Sequence, residues 1–384
     1  MNDWQQILQT LVGRVDDFSD RARLRLKKLA FLDSALMLIP YLGYGTQEKL
    51  LLSGRVLKDE GFAPSRETDT SWRNLVELYK RLESDEVPGA RVRARFQGVE
   101  HEAIANHEGY FSFEIKPAQP LGLSAWHVVD LELIDPASAA PVRAAADVLV
   151  PPATTRFGII SDIDDTVLWT NVSRKLKMLL LVALSNAHTR KPFNGVAAFY
   201  RALQRGAGGS EGNPIFYVSS SPWNLYTPLI EFLNVQTIPL GPLLLKDYGD
   251  HTLFSTGDHR SHKLASIERI LKVFPRLSFI LIGDSGEQDP EIYSEVVRMY
   301  PQRVRAIYIR SVASDPSRIQ AIDKLIDEVR QTGAQLILAP DSEFAAVHAA
   351  GEGLISTADL AAVRSNKRED ERAQDPQGLL DGKT

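Results

Sequence analysis

The chain has 384 residues, 44% of them hydrophobic and 24% charged, with a formal charge of −5. That length gives room for two or three domains, and the slight acidic balance offers no global attraction for nucleic acid, so none is expected as a partner. Cysteine is absent, which excludes disulfides, thiolate metal sites and cysteine nucleophiles.

The first residues, Met-Asn-Asp-Trp, carry an early acid and no basic stretch before an apolar core, so they do not read as a signal peptide. The longest clean apolar run, Met178 to Leu184, is too short to span a bilayer. A cytoplasmic protein is expected, with attachment to a membrane surface left open. From Trp4 to about Leu38, apolar residues recur at helical spacing, and residues 1–45 are expected as a helical segment. Within it, Arg21 to Lys28 packs five basic residues into eight. Such a stretch could lie on an anionic membrane, but a solvated helix face is the favoured reading.

The texture then changes to short alternating strands. Leu50–Leu57, Arg91–Phe96, Tyr110–Ile115, Trp126–Leu133 and Val142–Val150 are separated by turns and by one helical insertion, Trp72–Leu82. Residues 46–152 are therefore expected to form a small antiparallel β-sandwich. His101, His107 and His127 lie there without metal-like spacing and read as structural. Pro151-Pro152 marks a boundary.

Beyond it, apolar strands alternate with amphipathic helices. The strands are Phe157–Ser161, Ile215–Val218, Ser278–Ile282, Val304–Ile309 and Gln335–Leu338; the helices are Val196–Gln204, Leu225–Leu233, Lys263–Val273, Ile292–Tyr300 and Ser317–Val329. This pattern predicts an α/β domain over 153–352, a parallel sheet covered on both faces. Residues 353–384, charged and poor in apolar side chains from about Arg364, are expected to be a largely disordered tail.

Ligands of open α/β sheets collect at the carboxyl ends of the strands, and three strand ends here carry chemistry. The first reads Ile159-Ile-Ser-Asp-Ile-Asp-Asp-Thr-Val167. Three carboxylates in four positions after a buried strand repel one another, and a divalent cation relieves that cost. All-oxygen donors favour Mg²⁺. The second is Ile215-Phe-Tyr-Val-Ser-Ser-Ser-Pro222, whose serines, ahead of a helix, suit either a phosphate cradle or plain capping. The third, Phe279-Ile-Leu-Ile-Gly-Asp-Ser-Gly-Glu-Gln-Asp289, brings Asp284 to the same rim. Asp289 sits where an N-cap role is the simple alternative. Lys263 opens the helix before that strand; turned inward, it can neutralise phosphate and carboxylates.

In this order, Asp-x-Asp-x-Thr, Ser, Lys and Gly-Asp resemble the haloacid-dehalogenase superfamily of phosphohydrolases over roughly residues 156–340. The resemblance implies Asp162 as nucleophile and Asp164 as general acid/base. It implies Thr166, Ser219, Ser220 and Lys263 as phosphate-binding groups, and Asp162, Asp164, Asp284 and Asp289 as the metal set, with Asp289 either a direct ligand or a support. A Rossmann-like sheet is expected with it. Tyr41-Leu-Gly-Tyr-Gly45, Gly54-Arg-Val56, Tyr217-Val-Ser-Ser-Ser-Pro-Trp-Asn224, His262-Lys263 and Leu281 to Tyr293 further resemble the catalytic domain of the actin-patch-type phosphatidate phosphatases. That implies Mg²⁺-dependent release of phosphate from phosphatidate, leaving diacylglycerol.

Between the first two motifs, Arg174, Lys175 and Lys177 precede a strongly apolar run. Such a stretch suits a phospholipid and peripheral membrane contact, or equally a buried helix. Alternatives to the lipid phosphatase are a phosphatase of a soluble phosphomonoester, a catalytically silent membrane- or protein-binding module, and a phospho-aspartate receiver. Asp164, which promotes hydrolysis, disfavours the receiver.

Overall fold

A computed structural model describes residues 35–58, 86–138, 140–163, 194–246, 259–312 and 315–374. Two sheets organise them. Arg91–Phe96 shows how the first is built: Val92, Ala94 and Phe96 turn inward while Arg91 and Arg95 face solvent, the period-two pattern of a half-buried strand. Eight strands are joined in this way: β1 (Leu36–Pro40), β2 (Gly43–Gly45), β3 (Leu50–Lys58), β4 (Arg91–Phe96), β5 (Val99–Ile104), β6 (Tyr110–Ile115), β7 (Trp126–Asp135) and β8 (Arg143–Leu149). The hydrogen-bonded order is β1-β3-β2-β8-β7-β4-β5, with β6 also on β3. All pairings are antiparallel except β2 with β8. Their shared core includes Leu50, Val56, Val92, Phe111, Ile115, Val129 and Leu131. Gly54 is required where it stands, because a Cβ there would lie 2.6 Å from both the Ile39 carbonyl oxygen and the Phe111 ring.

The second sheet is parallel and nearly solid with apolar side chains. It comprises β9 (Gly158–Asp162), β10 (Ile215–Pro222), β11 (Leu243–Lys246), β12 (Phe279–Asp284), β13 (Val304–Arg310) and β14 (Gln335–Ala339), in the order β11-β10-β9-β12-β13-β14. Counted along the chain, that order is 3-2-1-4-5-6, the doubly wound arrangement, and it reverses between β9 and β12. Helices α1 (Val196–Arg205), α2 (Tyr226–Val235), α6 (Ser342–Gly351) and α7 (Asp359–Gln374) cover one face. Helices α3 (His259–Val273), α4 (Asp289–Met299) and α5 (Pro316–Arg330) cover the other. Among the described residues no helix is long and apolar enough to cross a membrane.

Three expectations need correction. Residues 36–45 were expected within a helical segment but form β1 and β2, whose backbones pair with β3. Apolar residues close together in sequence satisfied a helical period there, and the sheet supplied the stronger set of hydrogen bonds. β5 was not anticipated, because Val-Glu-His-Glu-Ala-Ile is an exposed edge strand without apolar alternation. The expected disordered tail contains α7. Its polar residues are used internally: Asn366 accepts the Ala198 N–H at 3.1 Å and Asp370 accepts the Gly195 N–H at 2.9 Å. These bonds occupy N–H groups at the start of α1, where Gly195 supplies no side-chain cap. Val363, a residue of α7 itself, is fully buried.

The two sheets are held against one another. The Tyr41 ring stacks on Trp223 at 4.4 Å between centroids, and the Leu42 N–H donates to the Tyr226 hydroxyl at 2.7 Å. Arg55, buried and lying over the Tyr110 ring, donates to Asn224 Oδ1 at 2.7 Å, to Glu86 at 3.1 Å and to the Glu108 carbonyl at 2.8 Å. The segment that follows β10 is thereby fixed from the antiparallel sheet.

Candidate active site

At the sheet's reversal point, β9 delivers Asp162 and β12 delivers Asp284, each the last residue of a fully buried strand. Continuous apolar runs force these strands into the middle of the sheet, so the first polar residues after them arrive at its carboxyl rim already surrounded by protein. Asp289 joins them from the first turn of α4. Oxygens of Asp162, Asp284 and Asp289 lie within 4.8 Å of one another, and all three residues are completely buried.

Lys263 belongs to the first turns of α3 and is only 3% exposed. Its ammonium nitrogen stands 2.9 Å from Asp162 Oδ1, 2.9 Å from Asp289 Oδ1 and 2.6 Å from Glu287 Oε2. Burial alone would pull its pKa down, but the three surrounding carboxylates outweigh that and hold it well above the ordinary lysine value. Burial pushes the Asp289 carboxyl well up; Lys263 opposes this, while the neighbouring Asp162 and Asp284 reinforce it. One ammonium contacts three acids, and Asp284 adds a fourth to the group, so the cluster carries a surplus of negative charge that a bound cation would balance. The donors are all carboxylate oxygens, the chemistry that hard divalent ions take, and the residues fit such an ion.

The loop from Asp284 to Asp289 is preset. Asp284 Oδ1 accepts the Gly286 N–H at 2.6 Å and the Glu287 N–H at 3.1 Å, and Asp289 Oδ2 accepts the Asp284 N–H at 3.2 Å. The cap residue of α4 is Gln288, so the Asp289 carboxylate turns inward to Lys263 and the Asp284 backbone rather than serving as a helix cap. From α5, Arg318 donates to the Ser285 carbonyl at 2.9 Å and also binds the Glu287 carbonyl and the Glu291 carboxylate. A Cβ on Gly283 would lie 2.3 Å from Asp289 Oδ2 and 2.7 Å from Asp289 Cβ. Gly283→Ala is therefore expected to displace Asp289 and lower stability by about 1–3 kcal/mol, as overpacking does. Thermal melts measure this, and a melting point within about one degree of the parent would show that the close approach is not required.

Ser219 is fully buried, and its residue follows Val218, which is in register with Asp162 on the neighbouring strand. The serines were expected just ahead of a helix. Instead β10 continues to Pro222, a 3₁₀ turn spans Trp223–Leu225, and α2 starts at Tyr226 with no side-chain cap. Ser219 Oγ accepts the Ser221 N–H at 2.9 Å, a local turn at the strand end. Asp164 and Thr166, with Arg174, Lys175 and Lys177, lie outside the described residues. Sequence reasoning missed Glu287 and Arg318. Glu287 sits inside the third motif and could have been read as a partner for Lys263. Arg318 carries no local signal, since it reaches the loop only through the packing of α5.

Residues 157–311 match the family model described as phosphatidate phosphatase APP1, catalytic domain. A curated relative, phosphatidate phosphatase APP1 of Saccharomyces cerevisiae, is 34% identical over 170 residues, which cover 44% of this chain and 28% of that protein. An uncharacterized protein of Schizosaccharomyces pombe is 28% identical over 254 residues, covering 63% of this chain and 40% of its own. The chain thus spans less than half the length of either relative. Among solved structures, a carbohydrate acetylesterase from Xanthomonas citri covers 78% of this chain and 75% of its own at 14% identity, with a TM-score of 0.29, too low to carry an argument. Every acid of the buried cluster, together with Lys263 and Ser219, falls inside the matched segment, so the whole described candidate site lies where this chain is similar to the phosphatidate phosphatase APP1 catalytic domain.

Proposed function

We propose that this protein is a magnesium-dependent phosphomonoesterase of the haloacid-dehalogenase type, which converts phosphatidate to diacylglycerol and inorganic phosphate. One observation carries the reading: Asp162, Asp284 and Asp289, from three separate elements, converge in a buried cluster bridged by Lys263. The printed name of the yeast relative supplies the substrate. The 3-2-1-4-5-6 strand order is consistent with a Rossmann-like phosphatase core. The single apolar core shared by the eight-stranded sheet is consistent with a small β-sandwich beside it.

In this scheme Asp162, Asp164, Asp284 and Asp289 hold a magnesium ion, which supplies charge neutralisation for the phosphoryl oxygens. The Asp162 carboxylate attacks phosphorus in line, forming an aspartyl-phosphate as the bond to the glycerol oxygen breaks. Asp164 gives its proton to that departing oxygen, then takes one from the water that hydrolyses the aspartyl-phosphate and frees inorganic phosphate. Lys263 sets its ammonium 2.9 Å from Asp162 Oδ1, beside the attacking carboxylate. Ser219, Ser220 and Thr166 position the phosphoryl group. The protein works in the cytoplasm with peripheral contact to a lipid surface.

Phosphate release from phosphatidate and from soluble phosphomonoesters, assayed with magnesium and with chelator, tests the reading. Activity on phosphatidate that vanishes with chelator is expected; no release from any ester would overturn it. Magnesium at about a hundred times its dissociation constant is expected to add about 2.7 kcal/mol to stability, seen as a higher melting temperature. In Asp284→Asn that shift should disappear. A full shift in the variant would remove Asp284 from the metal set.

A further inference from the structure

A cavity of about 420 Å³ lies between the two sheets, beside the acid cluster. Helix α3 forms one wall through His262, Ala265, Ser266 and Arg269. These residues are spaced i, i+3, i+4 and i+7, one stripe of a helix. Lys263 is one step round the same turn and faces Asp162 instead. The helix that delivers the cation to the acids therefore presents its adjoining stripe to the cavity. Leu51 of the antiparallel sheet forms the facing wall, Leu244 of β11 another side, and Trp223 closes an end. In register, Leu244 pairs with Val218 and Val218 pairs with Asp162. Two strand spacings, about 10 Å, thus separate Leu244 from the proposed nucleophile.

A mostly apolar cavity of a few hundred Å³, set between two layers and carrying a few polar groups, is the usual form of a small-molecule site. Its walls offer Leu, Phe and Trp side chains, with His262, Ser266 and Arg269 on the helix side and Ser53, Ser112 and Glu114 on the side of the antiparallel sheet. Ala265, at the α3 side, is exposed and marks a mouth. We propose that this cavity receives the hydrocarbon tail of an amphiphilic phosphomonoester whose phosphate lies at Asp162. The proposal rests on the phosphomonoesterase reading and adds to it where the apolar part of the substrate goes. Charge sits at one end of such a molecule and hydrocarbon at the other, and the acid cluster and the cavity repeat that division about 10 Å apart.

Calorimetric binding of n-alkyl phosphonates, butyl to decyl, in magnesium tests it, alongside n-alkanols of the same lengths that lack the charged head. In the parent protein the dissociation constant should fall about fourfold per added methylene in both series, the yield of burying hydrocarbon. Ala265→Trp, at an exposed position that tolerates a large side chain, should flatten both series to less than about 1.5-fold per methylene. Leu51→Trp, from the facing wall, repeats the test should the first variant unfold. A flat series in the parent, or an unchanged slope in both folded variants, overturns the tail site. Chain-length dependence in the alkanols without phosphate release from alkyl phosphates would keep the tail site and remove the phosphatase reading. Phosphate release with no chain-length dependence would do the reverse.

Discussion

Asp162→Asn is expected to lower phosphate release by roughly a thousandfold or more, while the protein in chelator melts at a slightly higher temperature than the parent. The loss follows from chemistry, since an amide oxygen is too weak a nucleophile to accept the phosphoryl group, and removal of a covalent nucleophile typically costs several powers of ten. The gain follows from electrostatics. Asp162, Asp284 and Asp289 are all buried within 4.8 Å of one another, and mutual repulsion raises the free energy of the metal-free fold. Deleting one charge relieves it, while Lys263 keeps Asp289 and Glu287 as partners. A gain of about 1 kcal/mol would move the melting point by about 2 °C. Turnover and thermal melts on one preparation check both signs. Activity within about tenfold of the parent would take the nucleophile role from Asp162.

Lys263→Met should have the opposite effect on stability and the same effect on turnover. The substitution keeps much of the side chain's length and apolar volume but removes the ammonium that bridges the buried Asp162 and Asp289 and the half-buried Glu287. Breaking a buried ion pair from one side typically costs about 3–5 kcal/mol, because the remaining charge stays desolvated. Here two fully buried carboxylates lose their partner at once. Magnesium should restore part of the lost stability, since a second source of positive charge is exactly what the cluster lacks. Lys263→Arg is expected to fail as a replacement: a planar fork does not fit where a compact ammonium reaches three oxygens at 2.6 to 2.9 Å. Chemical denaturation with and without magnesium measures both effects. A Lys263→Met protein as stable as the parent in chelator would show that the ammonium does not hold the acids together.

Much of this site is visible in the sequence because its physics is local. β9 and β12 are continuous apolar runs that end in acid, so strand, burial and carboxylate can be read together at Asp162 and Asp284. Lys263 needs more, since nothing in its neighbourhood says that its helix turns inward, and only its order among the other motifs marks it. What cannot be read is what depends on distant partners. β5 carries Glu100, His101 and Glu102 in its centre, too few apolar residues to mark a strand, and exists because β4 pairs with it. α7 has the composition of a solvated tail, yet Asn366 and Asp370 spend their polarity on the backbone of α1. Arg318 is an ordinary arginine on an amphipathic helix until α5 packs and sets it over the Ser285–Glu291 loop.

Tyr41 lies in the apolar cluster on one face of the parallel sheet, and Tyr44 and Leu149 lie in the cluster on its other face. The break in texture at Pro151-Pro152 therefore separates two patterns of residues whose side chains share apolar clusters. A fragment beginning at that point would leave Trp223 and Phe216 facing water where Tyr41 and Tyr44 now cover them. A catalytic half made without this neighbouring sheet would need some other cover for the same two faces.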